Sequence, residues 1–168
     1  MGPDAFDRFV ADNGDRLLRT AYLMVGDLQE AEDLVQETLF RVASRWSRVG
    51  RMDNPVAYAR RILVNLTFRG SSRRARNRAE LNATPPAETA GHTASPLDID
   101  DQLFDALAAL PPRQRATLVL RYFLDLSEVE AAAALSCSLG TVKSSTFRGL
   151  QRLEETLRPK NHYRSIAS

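Results

Sequence analysis

Apolar side chains along this chain recur at steps of three and four, the spacing that lines one face of a helix. Phe6, Phe9, Val10, Leu17, Ala21 and Met24 form the stripe of a first helix that ends near Gly26. Asp27 opens a second, since its carboxylate can accept the unbonded amides of a first turn and Glu30 can reach back from three residues on. Leu28, Ala31, Leu34, Val35, Thr38, Leu39, Val42 and Trp46 carry that stripe forward, while Glu30, Asp33, Gln36, Glu37 and Arg41 fall off it. Asn54-Pro55 predicts a third start: a capping residue, then proline at the first helical position, where its missing amide does no harm. Ala59, Ile62, Leu63 and Leu66 make its buried side. Arg60, Arg61, Asn65 and Arg69 are left outward, with Arg73, Arg74, Arg76 and Arg78 beyond.

The period then stops. Residues 80–97 (ELNATPPAETAGHTASPL) mix Pro, Ala, Thr, Gly and Glu without an apolar repeat and read as a flexible linker. Ile99, Leu103, Ala106, Leu107 and Leu110 restore the helical period until Pro111-Pro112, and a further helix runs to about Phe123. Ser127 with Glu130 forms a capping box ahead of an alanine-rich helix. A tight SCSLG segment and a long helix from about Leu139 to Leu157 follow, so the chain closes on a helix-turn-helix. On its second helix Leu139, Val142, Thr146, Leu150, Leu153 and Leu157 are expected inward, with Phe147 sliding in beside Thr146. Thr141, Lys143, Ser144, Ser145, Arg148 and Arg152 are expected outward, and these are side-chain types that meet base edges and phosphates in a DNA groove. The fold class is therefore all-α, with two small helical domains over 1–79 and 98–158, a linker over 80–97 and a basic tail over 159–168.

Composition narrows the chemistry. The 168 residues are 43% hydrophobic and 26% charged, enough for one domain or two small ones. No apolar run approaches the roughly 18 residues of a membrane span, and the N-terminus lacks the basic start of a signal peptide, so a cytoplasmic protein without membrane insertion is expected. A single cysteine excludes an intrachain disulfide, and Cys137, expected as a small buried hydrophobe, offers no zinc spacing with His92 and His162. No metal, cofactor or catalytic group is expected. The net charge of +2 conceals blocks: residues 54–79 hold seven arginines and no acid, whereas 80–110 hold six acids and no lysine or arginine. A basic stretch beside an acidic one suits a polyanion-binding face with its own screen.

Four segments carry a resemblance: AEDLVQETLFRV (31–42), NPVAYARRILVN (54–65), ALPPRQRATLVLRYFLDLS (109–127) and LGTVKSSTFRGLQRL (139–153). Together they resemble bacterial sigma factors, and among sigma-70 relatives the extracytoplasmic-function type, over about residues 5 to 157. The resemblance implies a protein that binds core RNA polymerase and directs promoter-specific initiation. It implies that the second helix docks on the clamp helices of the largest polymerase subunit through Asp33, Gln36, Glu37 and Arg41. It also implies that the third helix and the loop before it, through Arg48, Asn54, Arg60, Arg61, Asn65, Arg69, Arg73 and Arg74, capture and melt the minus-10 element. The helix-turn-helix would read the minus-35 element through Thr141, Lys143, Ser144, Ser145, Arg148 and Arg152, and an anti-sigma factor is a further candidate partner. The chain departs from the family pattern at Tyr58-Ala59 (usually Trp-Leu), Arg69 (an aspartate), Ala131 (an isoleucine), Ser136 (a glycine) and Ser145 (an arginine).

Two other readings compete. An ordinary helix-turn-helix regulator binding duplex DNA without polymerase would share the C-terminal half but needs a ligand pocket or phosphoacceptor in the N-terminal half. A nuclease could use Asp27, Glu30, Asp33 and Glu37 to hold a metal, although capping and docking already account for those acids.

Overall fold

Gly26, at φ +80°, ends the first helix in a conformation that strains any residue with a Cβ. In the computed structural model, which describes residues 3–81 and 98–158 (side chains over 4–70 and 98–158), that helix is α1, Pro3–Val25. The Asp27 carboxylate accepts from the Glu30 amide at 2.8 Å and starts α2, Leu28–Ala43. A single turn, α3 (Trp46–Val49), leads to Asn54, whose side-chain oxygen accepts from the Ala57 amide at 3.0 Å and opens α4, Pro55–Leu81. That helix runs two residues past the boundary expected at 79.

The second half begins at α5 (Asp101–Ala108), where Asp100 accepts from the Leu103 amide at 2.9 Å. Proline at the first position opens α6, Pro112–Leu118, which widens into a π-helical turn over Val119–Phe123. The Ser127–Glu130 capping box closes in both directions, at 3.1 and 2.7 Å, to start α7, Glu128–Leu135. Ser136 takes the left-handed turn position at φ 52°, and Ser138 caps α8, Leu139–Leu157. Caps are local chemistry, so their sequence signatures transfer directly to the structure.

Packing follows two centres. Phe9, Leu17, Ala21, Ala31, Val35, Val42, Val49, Ala59 and Leu63 fill the first, with the Trp46 ring 5.3 Å from Phe6 and 5.2 Å from Phe9. Leu107, Leu110, Leu118, Leu120, Leu126, Leu135 and Val142 fill the second, yet Leu23, Met24 and Val64 from the first half belong to it as well. Thr20 through Met24 are all buried, because one side of α1 faces its own half and the other faces the second half. The two halves therefore share an apolar interface. Its cause is non-local, since the second half meets Tyr22 and Leu23, which lie off the first helix's own stripe.

A cation sits in that interface. Arg115 on α6 is 7% exposed, and its Nε donates to the Leu23 carbonyl in the last turn of α1. Its guanidinium lies 5.8 Å from the centre of the Phe104 ring, which in turn stacks on Tyr22 at 4.9 Å. Burial pulls this guanidinium down to about 10, partly opposed by Tyr22, so it remains charged at neutral pH.

The phase of α8 is a correction. Its buried residues are Val142, Ser145 and Gly149, and Ser145 is only 8% exposed, so it does not lie on the outward face expected of it. Small residues let α8 approach α6 closely: a Cβ on Gly149 would stand 3.0 Å from Leu118 Cδ1. The rotation turns Phe147 out to 71% exposure, reversing the expectation that it joins the core, and leaves Leu139, Leu150 and Leu157 exposed too. Cys137 is half-buried against the second core.

Candidate nucleic-acid and partner interfaces

The outer face of α2 is a polar strip with an aromatic centre. Asp33, Gln36, Glu37 and Phe40 fall at i, i+3, i+4 and i+7 and are all exposed, so they share one side of the helix. Gln29 donates to Asp33 at 3.3 Å, and Arg41 pairs with Glu37 at 2.6 Å. Both contacts are solvent-exposed, so they pre-arrange the side chains without adding much stability. Phe40, 70% exposed, is the residue that sequence reasoning missed. Its signal was a large apolar side chain out of phase with Leu39 and Val42.

A second surface forms where α3 turns into α4. Val49 is fully buried and pins the turn, so that Arg48, Arg51, Asp53 and Asn54 face solvent. Arg45 donates to the Tyr58 hydroxyl at 3.1 Å, bracing the loop across the start of α4. Arg61, Asn65 and Arg69 step along α4 at four-residue intervals, all exposed, above a side buried through Ala59, Leu63, Val64 and Thr67. Arg73 and Arg74 continue the helix, but their side chains lie outside the described residues. Arg60 departs from this line. It is half-buried, its affinity for a proton lowered by burial and by Arg16 and partly restored by Glu130 of α7. Asn54, Tyr58, Arg60 and Arg61 face Glu130 and Ala133 across a pocket of about 310 Å³.

The third surface is the outer face of α8. Lys143, Ser144, Phe147, Arg148 and Arg152 are exposed together. Thr141 is half-buried, its hydroxyl 2.8 Å from that of the cap Ser138, so it helps to start the helix. Lys143 lies 3.9 Å from Glu128 at the start of α7, which ties the two helices of the motif electrostatically. Arginine, lysine, serine and an exposed aromatic on one helix face provide phosphate contacts, base-edge hydrogen bonds and an apolar contact for a thymine methyl. Elsewhere in the second half, Leu103, Leu107, Tyr122, Leu150 and Leu153 line an apolar groove of about 390 Å³.

Two family models match the chain, one in each half. Residues 9–78 match the family model described as Sigma-70 region 2, and residues 100–153 match Sigma-70, region 4. The chain is 38% identical over 153 residues to an RNA polymerase sigma-E factor of Streptomyces coelicolor, covering 90% of this chain and 85% of the relative. It is 35% identical over 156 residues to the sigma-E factor of Streptomyces avermitilis, covering 93% and 87%. Among solved structures, the sigma factor RpoE of Bartonella quintana, in complex with the anti-sigma factor NepR, superposes with a TM-score of 0.78 at 27% identity, covering 92% of this chain and 98% of that one. The chain belongs to the sigma-70 family, as an RNA polymerase sigma factor of the extracytoplasmic-function type. It is a transcription initiation factor that works with core RNA polymerase, not an ordinary regulator. Sigma factors are non-enzymatic, and no helix among the described residues is long and apolar enough to cross a membrane.

Proposed function

We propose that the chain divides its work among the three surfaces: α2 docks core polymerase, the α3–α4 turn with α4 captures the minus-10 strand, and α8 reads the minus-35 duplex. The observation that carries this reading is their separation. Asp33, Gln36, Glu37 and Arg41 lie on a helix apart from both arginine-bearing surfaces, so one chain can hold polymerase and two stretches of DNA at once. In this reading residues 1–79 form the core-binding and melting domain and 98–158 the duplex-reading domain; the linker (80–97) and basic tail (159–168) complete the chain.

The clamp helices of the largest polymerase subunit are the partner of the α2 strip, with Phe40 as the apolar anchor inside a charged rim. At the minus-10 element, Asn54, Arg61, Asn65 and Arg69 receive an extruded base and its phosphates, which offsets the few kcal/mol that unstacking costs. Arg48, Arg73 and Arg74 extend that basic track, and Arg60 joins it on the side nearest α7. At the minus-35 element Lys143 and Arg152 hold phosphates while Ser144 and Arg148 meet base edges. Thr141 supports the start of α8, and Ser145 supports its seat on α6. The protein acts in the cytoplasm without chemistry of its own. Because its relative RpoE is held by an anti-sigma factor, a partner of that class is proposed here too, seated on the apolar groove beside Leu103 and Leu150.

Co-purification with bacterial core polymerase tests the docking assignment. Replacing Asp33 and Glu37 together by arginine reverses the charge of the strip without touching the buried side of α2. It should abolish co-purification and leave helical content unchanged. Undiminished co-purification would refute the assignment.

A further inference from the structure

We propose that Arg45 is a positioning residue for strand capture: by donating to the Tyr58 hydroxyl it closes the α3 loop and commits that hydroxyl to donate to the unpaired strand. The inference rests on the reading of the α3–α4 turn as the minus-10 surface, and it adds a pair of residues which that reading does not use. Arg45 stands where three helices meet. Its amide donates to the Val42 carbonyl at the end of α2, at 3.1 Å, and its carbonyl accepts from the Arg48 and Val49 amides of α3, at 3.0 and 2.9 Å. Its side chain then reaches the first turn of α4, where Nη1 donates to Tyr58 Oη at 3.1 Å across thirteen residues of chain. The loop that carries Arg48, Arg51 and Asn54 is thus tied at both ends by one residue.

The direction of that bond decides what Tyr58 can do. A guanidinium only donates, so the hydroxyl accepts from it and keeps its own proton for a third group. Where the family pattern has tryptophan, the ring nitrogen can only donate; a tyrosine hydroxyl can turn either way, and Arg45 fixes it as a donor. Asn54 is committed in the same sense, because its side-chain oxygen already accepts from the Ala57 amide at 3.0 Å, which leaves its NH2 outward. Asn54, Tyr58, Arg60 and Arg61 line one pocket, so its α4 wall presents donors. Such a wall takes an acceptor oxygen, of a phosphate or of a base carbonyl. The Arg45–Tyr58 bond is solvent-exposed and adds little to folding, so its loss acts on the strand and not on the fold.

The test uses core polymerase with the full-length protein on a promoter from which the two initiate. Arg45→Gln and Tyr58→Phe should each slow open-complex formation, read by permanganate reactivity of unpaired thymines, about three- to tenfold, the usual effect of one hydrogen bond. The double variant should be no slower than either single one, because each removes the same bond. Arg45→Lys, which keeps a donor, should recover part of the rate. Duplex binding before melting, co-purification with core polymerase and the urea midpoint should match wild type. A single methylphosphonate in the strand that slows wild type but not Tyr58→Phe marks a phosphate as the acceptor, and a base replacement with that property marks a base carbonyl; the absence of both overturns the proposal. So do additive losses in the double variant, a lowered urea midpoint, or unchanged melting in Tyr58→Phe. Arg61→Ala and Asn65→Ala separate the two levels of the account. If they too leave melting unchanged, the minus-10 reading of α4 fails, whereas a loss in them with none in Arg45→Gln refutes the role of Arg45 alone.

Discussion

Single residues in this chain record how closely its helices approach. Gly149 is small because α8 lies against Leu118 there, Ser145 is buried on the same helix, and Phe147 faces water because that seam fixes the rotation of the helix. The apolar pattern misassigned this face for a physical reason: a serine and a glycine in a seam carry no hydrophobic signal, whereas the nearby leucines carry a strong one and remain partly exposed. Phe147→Ala should therefore change unfolding stability by no more than about 0.5 kcal/mol, the usual range for a surface site, whereas a core phenylalanine would cost about 3 to 5 kcal/mol. Urea unfolding distinguishes the two. Ser136 holds a left-handed conformation at φ 52° that glycine adopts without strain. Ser136→Gly should stabilise the fold by about 0.5 to 1 kcal/mol, the relief of that strain less the entropy glycine adds to the unfolded chain. A higher urea midpoint with an unchanged slope would show it, and a lower midpoint would contradict the strain argument.

Helices were the most legible level. Asp27, Asn54 and Ser127 cap the helices that follow them as their sequence signatures indicate, and the structure adds Asp100 and Ser138, because a cap depends only on a side chain and the amides two or three residues on. Among them the Ser127–Glu130 box is closed in both directions, and the hydrogen bonds from Ser127 hold the Glu130 carboxyl below its ordinary value. Ser127→Ala should cost about 1 kcal/mol by urea unfolding, the usual worth of an N-cap. The sign with pH follows from the direction of the Glu130 shift: a carboxyl held low in the folded state stabilises it above the unfolded value, and that support is lost as pH falls through the folded one. Wild type should thus lose an acid-sensitive part of its stability below about pH 4.5 that a Glu130→Ala variant lacks. Parallel pH profiles for the two proteins would contradict this.

At the scale of the whole molecule, the sequence showed which surfaces exist but not how they sit together. Two helical halves, a basic α4 and a closing helix-turn-helix were readable from period, caps and charge blocks. The contact between the halves was not, because Arg115 lies 92 residues beyond Leu23 in the chain and only their meeting makes a buried cation reasonable. In the proposed division of work, both halves reach promoter DNA in one complex with polymerase. The most direct test is to sequence transcripts initiated on genomic DNA by core polymerase with this protein, wild type and Arg148→Ala in parallel. The account predicts initiation at sites sharing a minus-10 and a minus-35 element at fixed spacing. Arg148→Ala should relax the minus-35 preference, since a base-reading arginine is worth about 1 to 3 kcal/mol of discrimination. Initiation no different from core polymerase alone, or a uniform loss across all minus-35 sequences in the variant, would contradict it.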